Sequence, residues 1–358
     1  MKAEYPMQIL TDFRPETLLV HPADPVYGPE ARALIQGKTV MVTGAGGSIG
    51  SELVRQSKAL GAARVCNVDS DEFALYTLQL SLEGTALLDS DDYILADIRD
   101  ESLMDRVVRE NAPDIIFHAA AHKHLPLLER HPDAAAKTNV FGTESVMRAA
   151  VRNRVQQVVN ISTDKAAAPT SALGWSKRLA EHVAAGHSTP KTRIASVRFG
   201  NVLGSRGSFL PTLIWQIQKG LPIQVTHEDV SRFFMTIPEA AGLVVEAACL
   251  SEGGDLFVLD MGTSIKILDL VKEYVRLSKS PSPLITFTGL REGEKLQEAC
   301  FETGEDQIQT AHPRIFSTRV ESLDMTFIMT ELRQLVALGA TPGLIRDALE
   351  FRSPAVLR

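Results

Sequence analysis

Residues 39–50 read TVMVTGAGGSIG, and this stretch decides the fold because an apolar, β-branched run passes directly into a glycine-rich turn and then a helix pattern. Gly44 permits the tight turn, Gly47 lets the backbone approach a phosphate, and Gly50 lets the helix pack against the strand. Free N–H groups at the helix start favour an anion there. The turn therefore predicts a dinucleotide pyrophosphate site. The expected contacts are Gly44, Gly46, Gly47, Ser48, Ile49 and Gly50.

Strand and helix patterns alternate beyond this turn. Apolar runs predict strands over residues 64–69, 93–97, 114–118, 158–162 and 194–197, with helix patterns between them. Strands that alternate with helices at this spacing form parallel βαβ units. The sequence therefore predicts an α/β protein with a Rossmann-type, doubly wound parallel sheet and a smaller α/β substrate-binding lobe.

Four segments are predicted along the chain. Residues 1–37, which carry several prolines, are expected to form an N-terminal arm, and residues 38–205 the NAD(P)-binding Rossmann domain. Residues 206–320 are expected to form the substrate-binding lobe, although a strand near 256–260 returns to the main sheet. Residues 321–358 are expected to form a C-terminal helical tail. The lobe should lie over the carboxyl ends of the strands, where doubly wound sheets bind their ligands.

The composition of this 358-residue chain is that of an ordinary globular protein and excludes several partners. Its net charge of -7 gives no bulk attraction for nucleic acid or anionic lipid, so an anionic substrate needs a local cluster of donors. No apolar run approaches the ~18 residues of a membrane span, and no signal-peptide pattern is present. The cysteines are scattered without metal-ligand spacing, as in a protein of the reducing cytoplasm.

Acidic and small residues at the next strand ends complete the predicted cofactor site. Asp69 ends the second predicted strand, where a carboxylate accepts hydrogen bonds from the adenine ribose and repels a 2′-phosphate. This position favours NAD over NADP. Asp97 and Ile98 end the third strand and are expected near the adenine, although Asp97 also suits the start of a helix. Ala119 and Ala120 follow the fourth strand and are expected to line the same site.

The segment after the fifth predicted strand carries the candidate catalytic residues. In short-chain dehydrogenases, a tyrosine and a lysine four residues apart share one face of the helix that follows this strand. Lys177 stands at the lysine position, where it would hold the nicotinamide ribose, but Leu173 stands at the tyrosine position. Leucine cannot move a proton, so the usual base is missing.

Asp164 and Lys165 form a candidate acid–base pair at the end of the same strand. Such a pair suits a reaction that removes a proton and expels water in addition to transferring hydride. Lys165 acts as a base only when its pKa is lowered, and we expect burial and the ammonium of Lys177 to lower it. An exposed charge pair after a strand is the alternative interpretation.

Seven segments resemble one known family, in the same order along the chain from about residue 16 to the end. The family is that of the capsular-polysaccharide-type UDP-N-acetylglucosamine 4,6-dehydratases, in the extended short-chain dehydrogenase class. Many members carry a membrane-spanning N-terminal region, and this chain resembles their soluble portion alone. The segments are GAGGSIGSE at 44–52, FHAAAHKHLP at 117–126, STDKAAAPT at 162–170, RFGNVLGS at 198–205, RFFMTIP at 232–238, FVLDMG at 257–262 and LREGEKL at 290–296.

The resemblance implies a reaction sequence on UDP-N-acetylglucosamine. Bound NAD(P)+ takes hydride from C4 of the sugar, a base removes the C5 proton, an acid protonates the departing C6 hydroxyl, and hydride returns to C6. The resemblance assigns Lys165 as the C5 base and Asp164 as the C6 acid, with Thr163 orienting the C4 hydroxyl. Leu173 departs from the Tyr or Met of the family, and relay of the C4 hydroxyl proton from Thr163 to Asp164 is our hypothesis.

A nucleoside diphosphate sugar needs donors for two phosphates. Arg232 and Arg291 lie within the family motifs of the second lobe, and a guanidinium suits bidentate phosphate contact. A surface salt bridge is the alternative for each arginine. The remaining expected substrate contacts are Lys123, Asn201, Ser205 and, for the ribose, Glu294.

Three further features concern metals, bracing and assembly. His122 and His124 have a metal-like spacing, but no further ligand set accompanies them, so no metal is expected.

Asn139 is expected to brace the backbone of the site, an ordinary helix position being the alternative. A homo-oligomer is expected, because dehydrogenases of this class commonly pair through the helices that correspond to residues 101–110 and 138–152.

Two other functions stay open on the sequence alone. A UDP-sugar 4-epimerase also oxidises C4 but loses no water, and because it needs no C6 acid, the pair of Asp164 and Lys165 favours dehydration. A non-catalytic NAD-binding scaffold is favoured only by Leu173. The presence of Lys165 and Lys177 argues against a scaffold, because a protein that only binds NAD needs no acid–base pair at the strand end.

Overall fold

Strands and helices alternate through the first half of the protein. The computed structural model describes residues 15–19, 27–320 and 323–350, so most of the predicted N-terminal arm lies outside the described residues. The strands, in chain order, are β1 (Thr39–Thr43), β2 (Arg64–Asp69), β3 (Tyr93–Leu95), β4 (Ile115–His118), β5 (Gln157–Ile161), β6 (Arg193–Arg198), β7 (Asn201–Val202), β8 (Ile223–Val225), β9 (Ser231–Arg232), β10 (Phe234–Met235), β11 (Leu256–Leu259), β12 (Ile265–Lys266), β13 (Ile285–Phe287), β14 (Ile308–Gln309) and β15 (Ile315–Thr318).

The helices pack on both faces of the main sheet and in the lobe. A π-helical segment (Ala136–Gly142) leads directly into α7, and short 3₁₀ turns occur at Pro15–Leu18 and Asp164–Ala166. The α-helices are α1 (Pro29–Ile35), α2 (Ser48–Ala59), α3 (Glu72–Glu83), α4 (Glu101–Asn111), α5 (Leu125–Arg130), α6 (Pro132–Ala135), α7 (Thr143–Arg152), α8 (Ala172–His187), α9 (Phe209–Gln218), α10 (Ile237–Leu250), α11 (Ile267–Ser278), α12 (Met325–Ala337) and α13 (Pro342–Leu349).

Polar side chains at helix starts explain several of these boundaries. Asp71 caps α3 by accepting hydrogen bonds from two backbone N–H groups of the first turn, and Ser171 caps α8 by accepting one. Thr236 and Glu239 form a reciprocal capping box at the start of α10. These contacts satisfy N–H groups that have no partner within the helix.

The main sheet has the order β3-β2-β1-β4-β5-β6-β11-β15-β14 in the described part of the chain. The strands from β3 to β11 pair in parallel, and β15 is antiparallel to both of its neighbours. The order 3-2-1-4-5-6 is that of a doubly wound dinucleotide-binding sheet. The predicted α/β class with a Rossmann-type sheet is therefore confirmed.

Strand ends differ from the sequence patterns by one or two residues. The third strand ends at Leu95 rather than at residue 97. The N–H of Ala96 makes the last hydrogen bond to β2, at the carbonyl of Asp69. The chain then turns, because the N–H of Asp100 donates to the carbonyl of Asp97. Asp97 therefore lies in the loop at the carboxyl edge of the sheet. The fifth strand likewise ends at Ile161.

Apolar side chains fill both faces of the sheet. On one face α4, α7 and α8 contribute Met104, Met147 and Leu179 to a single cluster. On the other face α2 and α10 contribute Leu53 and Val244. A third cluster joins α9, β8 and α11 in the smaller lobe. Burial of this much apolar surface on either side stabilises the sheet.

The two C-terminal helices pack against the helices beside β5. Leu332 of α12 and Leu349 of α13 are fully buried in the cluster that contains α7 and α8. Arg333 forms an ion pair with Glu144 and lies over the ring of Phe141, 4.5 Å from its centroid. Part of the helix surface predicted for pairing between copies is thus covered within the chain.

Among the residues that the structure describes, no helix combines the length and apolar character that crossing a bilayer requires.

Candidate active site

The glycine turn lets three backbone segments approach one another closely. Gly44 has a φ of +67°, and a Cβ at this position would lie 2.7 Å from the Cα of Ala120. A Cβ on Gly50 would lie 2.0 Å from the carbonyl oxygen of Gly44. A side chain at either position would separate β1, the loop after β4 and the start of α2. The turn therefore presents the N-terminus of α2 at the carboxyl edge of the sheet.

A cavity of about 290 Å³ opens beside the turn. Asp69 stands at its wall, where Oδ2 accepts a hydrogen bond from Gly46 N–H at 2.9 Å and Oδ1 accepts one from Asp71 N–H at 3.1 Å. The hydrogen bond and charge of Arg99 hold the pKa of Asp97 below its ordinary value. The predicted cofactor residues that line this cavity are Gly44, Gly47, Asp69, Asp97, Ile98, Ala119 and Ala120.

The other predicted residues of the turn lie elsewhere. Gly46 and Ser48 line a neighbouring cavity of about 450 Å³ between α2, α3 and the start of α10. Ile49 packs into the apolar cluster beneath the sheet. The backbone N–H of Arg206 donates to Ser48 Oγ at 2.9 Å, and Arg206 lines both cavities. The sequence prediction missed Arg206, although it follows the motif at 198–205 directly.

Thr163, Asp164 and Lys165 meet immediately after β5. The Thr163 hydroxyl and the Lys165 ammonium both donate to Asp164 Oδ1, each at 3.0 Å. Lys165 Nζ also donates to Asn201 Oδ1 at 3.1 Å. Asp164 is fully buried, and its Oδ2 has no hydrogen-bond partner in the described part of the chain. Protons therefore reach Asp164 through Thr163 or Lys165, which keep accessible surface.

The pKa of Lys165 is raised, which makes the sequence prediction wrong on this point. Burial lowers it, as expected, but the carboxylates of Asp164 and Glu298 outweigh burial. The nearby cation that opposes them is Arg232 rather than Lys177. An ammonium flanked by two carboxylates keeps its proton, because opposite charges within a few ångströms favour the charged form.

Lys177 and Leu173 lie one turn apart on α8. Burial lowers the pKa of Lys177 to about 8, and the charge of Glu181 opposes part of that shift. Leu173 is buried in the apolar cluster that contains α7 and α8. At the tyrosine position, this chain thus has a core side chain that can neither donate nor accept a proton.

Asn139 connects the loop after β4 to α8. Its Oδ1 accepts from His122 N–H at 2.9 Å, and its Nδ2 donates to the His122 carbonyl at 3.1 Å and to Ser176 Oγ at 3.0 Å. Asn139 lies in the π-helical segment, whose wider turn accompanies this inward contact. These three bonds are the bracing that the sequence predicted for Asn139.

A buried ionic network lies beneath the candidate catalytic residues. Ser162, which precedes Thr163, donates to Glu181 Oε1 rather than facing the cleft. Arg198 forms ion pairs with Glu181 and Glu305 at 2.8 Å each. Thr163 is therefore the hydroxyl that remains beside Asp164.

The predicted substrate residues of the lobe bind one another. Arg232 donates to Glu294 Oε1 at 3.0 Å and to the carbonyl oxygens of Ser231 and Leu296. The Arg291 side chain is exposed, and its backbone N–H donates to Glu294 Oε2 at 3.2 Å. Arg232 thus holds the segment after β13 against β9 through a salt bridge, which was the alternative for this residue, although Arg232 is buried rather than at the surface.

Three predicted substrate residues follow strands β4 and β6 of the main sheet. Asn201, at the start of β7, bonds to Lys165 as described, whereas Ser205 is buried in the following turn. Lys123 Nζ donates to the carbonyl of Arg206 at 2.7 Å, and burial followed by the charge of Arg206 lowers the pKa of Lys123. These contacts join the loop after β4 to the loop after β7.

Glu298 and Lys295 complete the charged cluster. Glu298 Oε1 lies 3.5 Å from Lys165 Nζ, and Glu298 Oε2 lies 3.4 Å from Lys295 Nζ. The sequence prediction missed both residues. Glu298 lies two residues beyond the motif at 290–296, in a segment whose irregular backbone has no periodicity that would predict its direction.

Metal binding is not indicated by the described side chains. Across residues 15–19, 27–320 and 323–350, no group of three or more His, Cys, Asp or Glu side chains could hold a metal ion. His122 and His124 belong to no such group.

The chain matches one known protein family over most of its length. Residues 40–320 match the model of a family described as polysaccharide biosynthesis protein. The chain belongs to this family. All seven segments quoted above lie within the matched residues, so the family resemblance that they predict is confirmed.

Similarity to individual proteins covers most of the chain. It is 40% identical over 307 residues to the capsular polysaccharide biosynthesis protein CapD of Staphylococcus aureus, covering 84% of this chain but 51% of that protein, about half its length. It is 34% identical over 271 residues to a UDP-glucose 4-epimerase of Rickettsia prowazekii, covering 73% of this chain and 77% of that protein. The X-ray structure of Pen from Bacillus thuringiensis superimposes with a TM-score of 0.73 at 30% identity, covering 80% and 90% of the two chains.

Proposed function

We propose that the protein is a nucleotide-sugar 4,6-dehydratase that uses NAD to convert UDP-N-acetylglucosamine to a UDP-4-keto-6-deoxyhexosamine. The observation that carries this proposal is the buried pair of Asp164 and Lys165, which is hydrogen-bonded to Thr163 and Asn201 at the end of β5. Loss of water from adjacent carbons needs one group that takes a proton and another that gives one. The pair supplies both at the edge of the sheet where the cofactor turn also lies.

The residues around the glycine turn fit the adenosine diphosphate of a dinucleotide. The turn has no room for side chains at Gly44 and Gly50, and the cavity beside it is walled by the fixed carboxylate of Asp69. The N-terminus of α2 suits a diphosphate, and Asp69 suits ribose hydroxyls. Lys177 would hold the nicotinamide ribose. When bound, NAD supplies the hydride acceptor for C4 and the hydride donor for C6.

The residues of the chain divide the proton steps among them. Thr163 takes the proton of the C4 hydroxyl and passes it to Asp164 across their 3.0 Å hydrogen bond. Asp164, which is buried, returns that proton through Thr163 to the departing C6 oxygen, so water leaves. Lys165 removes the C5 proton and later gives a proton back to C5. In this scheme Thr163 and Asp164 supply the base that is missing because Leu173 stands at the tyrosine position.

Substitution of Asp69 tests the proposed preference for NAD over NADP. We expect Asp69→Ser to raise the Kd for NAD about tenfold, because the ribose loses a charge-assisted hydrogen bond, and to raise the Kd for NADP less, because the repulsion of a 2′-phosphate is also removed. Titration calorimetry with both cofactors measures the ratio. Asp91→Ser, an exposed change in the loop before β3, serves as the control. An unchanged ratio of the two Kd values in Asp69→Ser would contradict the assignment.

A second candidate function is a UDP-sugar 4-epimerase. The similarity to the UDP-glucose 4-epimerase of Rickettsia prowazekii favours it. An epimerase needs no acid for a C6 hydroxyl, so the buried carboxylate of Asp164 beside Lys165 supports the dehydratase instead.

Product mass separates the candidate functions. The protein is incubated with NAD+ and UDP-N-acetylglucosamine in heavy water. The dehydratase gives a product that has lost one water and carries solvent deuterium at C5. An epimerase gives an isomer without loss of water. Bound NAD with no conversion of any nucleotide sugar would instead indicate the non-catalytic scaffold and overturn the proposal.

A further inference from the structure

Glu298 bridges two lysines at the edge of the candidate active site. Its side chain is 3% exposed, with Oε1 3.5 Å from Lys165 Nζ and Oε2 3.4 Å from Lys295 Nζ. Neither Glu298 Oε2 nor Lys295 Nζ makes a hydrogen bond within the described residues. Asp164, Lys165, Glu298 and Lys295 therefore form a row of alternating charge. Burying such a row is costly unless each charge is compensated by its neighbours.

The charged groups around Lys165 come from three segments. Asp164 faces it from the turn after β5, Glu298 from the segment after β13, and Arg232 from β9. Cys300 lies near Glu298 and Asp164, but burial raises the pKa of its thiol to about 12, so it stays neutral. At rest, Lys165 is therefore an ammonium held between two carboxylates.

The proposed reaction requires this ammonium to lose a proton. Lys165 can remove the C5 proton only as a neutral amine. Asp164 cannot be the acceptor of the Lys165 proton, since in the proposed function it must take the proton of the C4 hydroxyl. Glu298 is the other carboxylate that faces Lys165 in the described structure.

We infer that Glu298 takes the proton that Lys165 must lose before it can act as the C5 base, and returns this proton when the cycle ends. This inference rests on the proposed function. Glu298 touches no substrate atom in this role and acts through Lys165, so it is a positioning residue. Lys295, 3.4 Å from the second oxygen, holds Glu298 as a carboxylate at rest and favours return of the proton to Lys165 when the cycle ends.

The protons balance over one turnover. The proton moves from Lys165 to Glu298, and the neutral amine then takes the C5 proton. When hydride returns to C6, Lys165 gives a proton back to C5, and Glu298 returns the stored proton to Lys165. The pair begins and ends as ammonium and carboxylate, so it exchanges no net proton with solvent.

Glu298→Gln tests the inference through the pH dependence of turnover. The amide keeps the shape of the side chain but accepts no proton, so Lys165 must lose its proton to solvent. We expect kcat to fall about 10²-fold at pH 7. The ratio of the variant kcat to the wild-type kcat should then rise about tenfold per pH unit as Lys165 is deprotonated by solvent. Lys177 and other groups titrate alike in both proteins, so their effects on kcat cancel in the ratio.

Lys295→Gln is the matched control, because it changes the same cluster but leaves the acceptor in place. Its ratio to wild type should stay level with pH. A Glu298→Gln variant that is slower by the same factor at every pH would overturn the inference while leaving the dehydratase intact. Recovery of Glu298→Gln at alkaline pH would support it, since a packing defect is not repaired by removing a proton.

Chemical labelling of Lys165 measures its coupling to Glu298 without requiring turnover. The pH dependence of acetic anhydride modification at Lys165 is followed by peptide mass spectrometry. Glu298→Gln removes an anion, so Lys165 should react at lower pH than in wild type, and Lys295→Gln removes a cation, so Lys165 should react at higher pH. An unchanged reaction of Lys165 in Glu298→Gln would refute the coupling even if no nucleotide sugar is converted, whereas failure of conversion alone would refute only the dehydratase.

Discussion

Replacing Lys165 with methionine is expected to lower kcat for dehydration about 10³-fold, because a positioned base contributes a factor of this order to proton abstraction. Methionine keeps a flexible apolar chain of similar length but cannot accept a proton. The Lys165 side chain is 18% exposed, whereas that of Asp164 is fully buried, and Asp164 and Asn201 hold the Lys165 ammonium in place. The measurement is steady-state turnover of UDP-N-acetylglucosamine with NAD supplied.

Two controls separate this loss from unfolding. The Lys165→Met variant should keep its affinity for NAD, because Lys165 does not line the cavity of about 290 Å³ beside the glycine turn, where we propose that the adenosine diphosphate of NAD binds. Lys272→Met, at an exposed position on α11, should retain wild-type kcat. A Lys165→Met variant that keeps more than a tenth of wild-type kcat would show that another group removes the C5 proton.

Replacing Arg198 with methionine is expected to lower the free energy of unfolding by about 3–5 kcal/mol, because it leaves buried charge without a partner. The Arg198 side chain is 2% exposed and forms ion pairs with Glu181 and Glu305. Ser162 also donates to Glu181, so the loss extends to the end of β5. Urea denaturation followed by circular dichroism measures the change.

The double variant Arg198→Met with Glu181→Gln is the matched control. Removing both charges of a buried pair costs less than removing one, so the double variant should recover part of the lost stability. Arg276→Met, which breaks an exposed pair with Glu273 on α11, should leave the denaturation midpoint unchanged. If Arg198→Met were as stable as wild type, the network would not hold the end of β5.

Local patterns were sufficient to predict the sheet and the glycine turn after β1. The run at 39–50 specifies its own strand, turn and helix, because glycine spacing and β-branched residues act within a few positions of one another. The meeting of Thr163, Asp164 and Lys165 also follows from one strand end. Both inferences depend on neighbours in sequence and on the rule that parallel strands share one carboxyl edge.

Contacts between distant segments could not be predicted in the same way. The pKa of Lys165 depends on Glu298, which reaches it from an irregular segment far along the chain. The pairing of Arg232 with Glu294 likewise joins two motifs whose relative position no periodicity specifies. The electrostatics of the site, more than its fold, therefore needed the three-dimensional structure.

Burial also changes the meaning of single residues. Leu173 suggested a missing base, and the structure adds that its side chain belongs to the apolar core beside α7. Asp164 is the C6 acid that the resemblance implies, yet it is fully buried, and in the described part of the chain protons reach it through Thr163 or Lys165. The solvent accessibility of a residue depends on every segment that packs over it, so it cannot be predicted from sequence spacing.

Hydride migration tests the central claim most directly. The protein is supplied with NAD+ and UDP-N-acetylglucosamine that carries deuterium at C4, and the product is examined by proton NMR and mass spectrometry. A 4,6-dehydratase takes the deuterium from C4 and returns it to C6, so the account predicts a 4-keto-6-deoxy product labelled at C6. Deuterium found again at C4, in a product that has lost no water, would contradict the account and establish an epimerase.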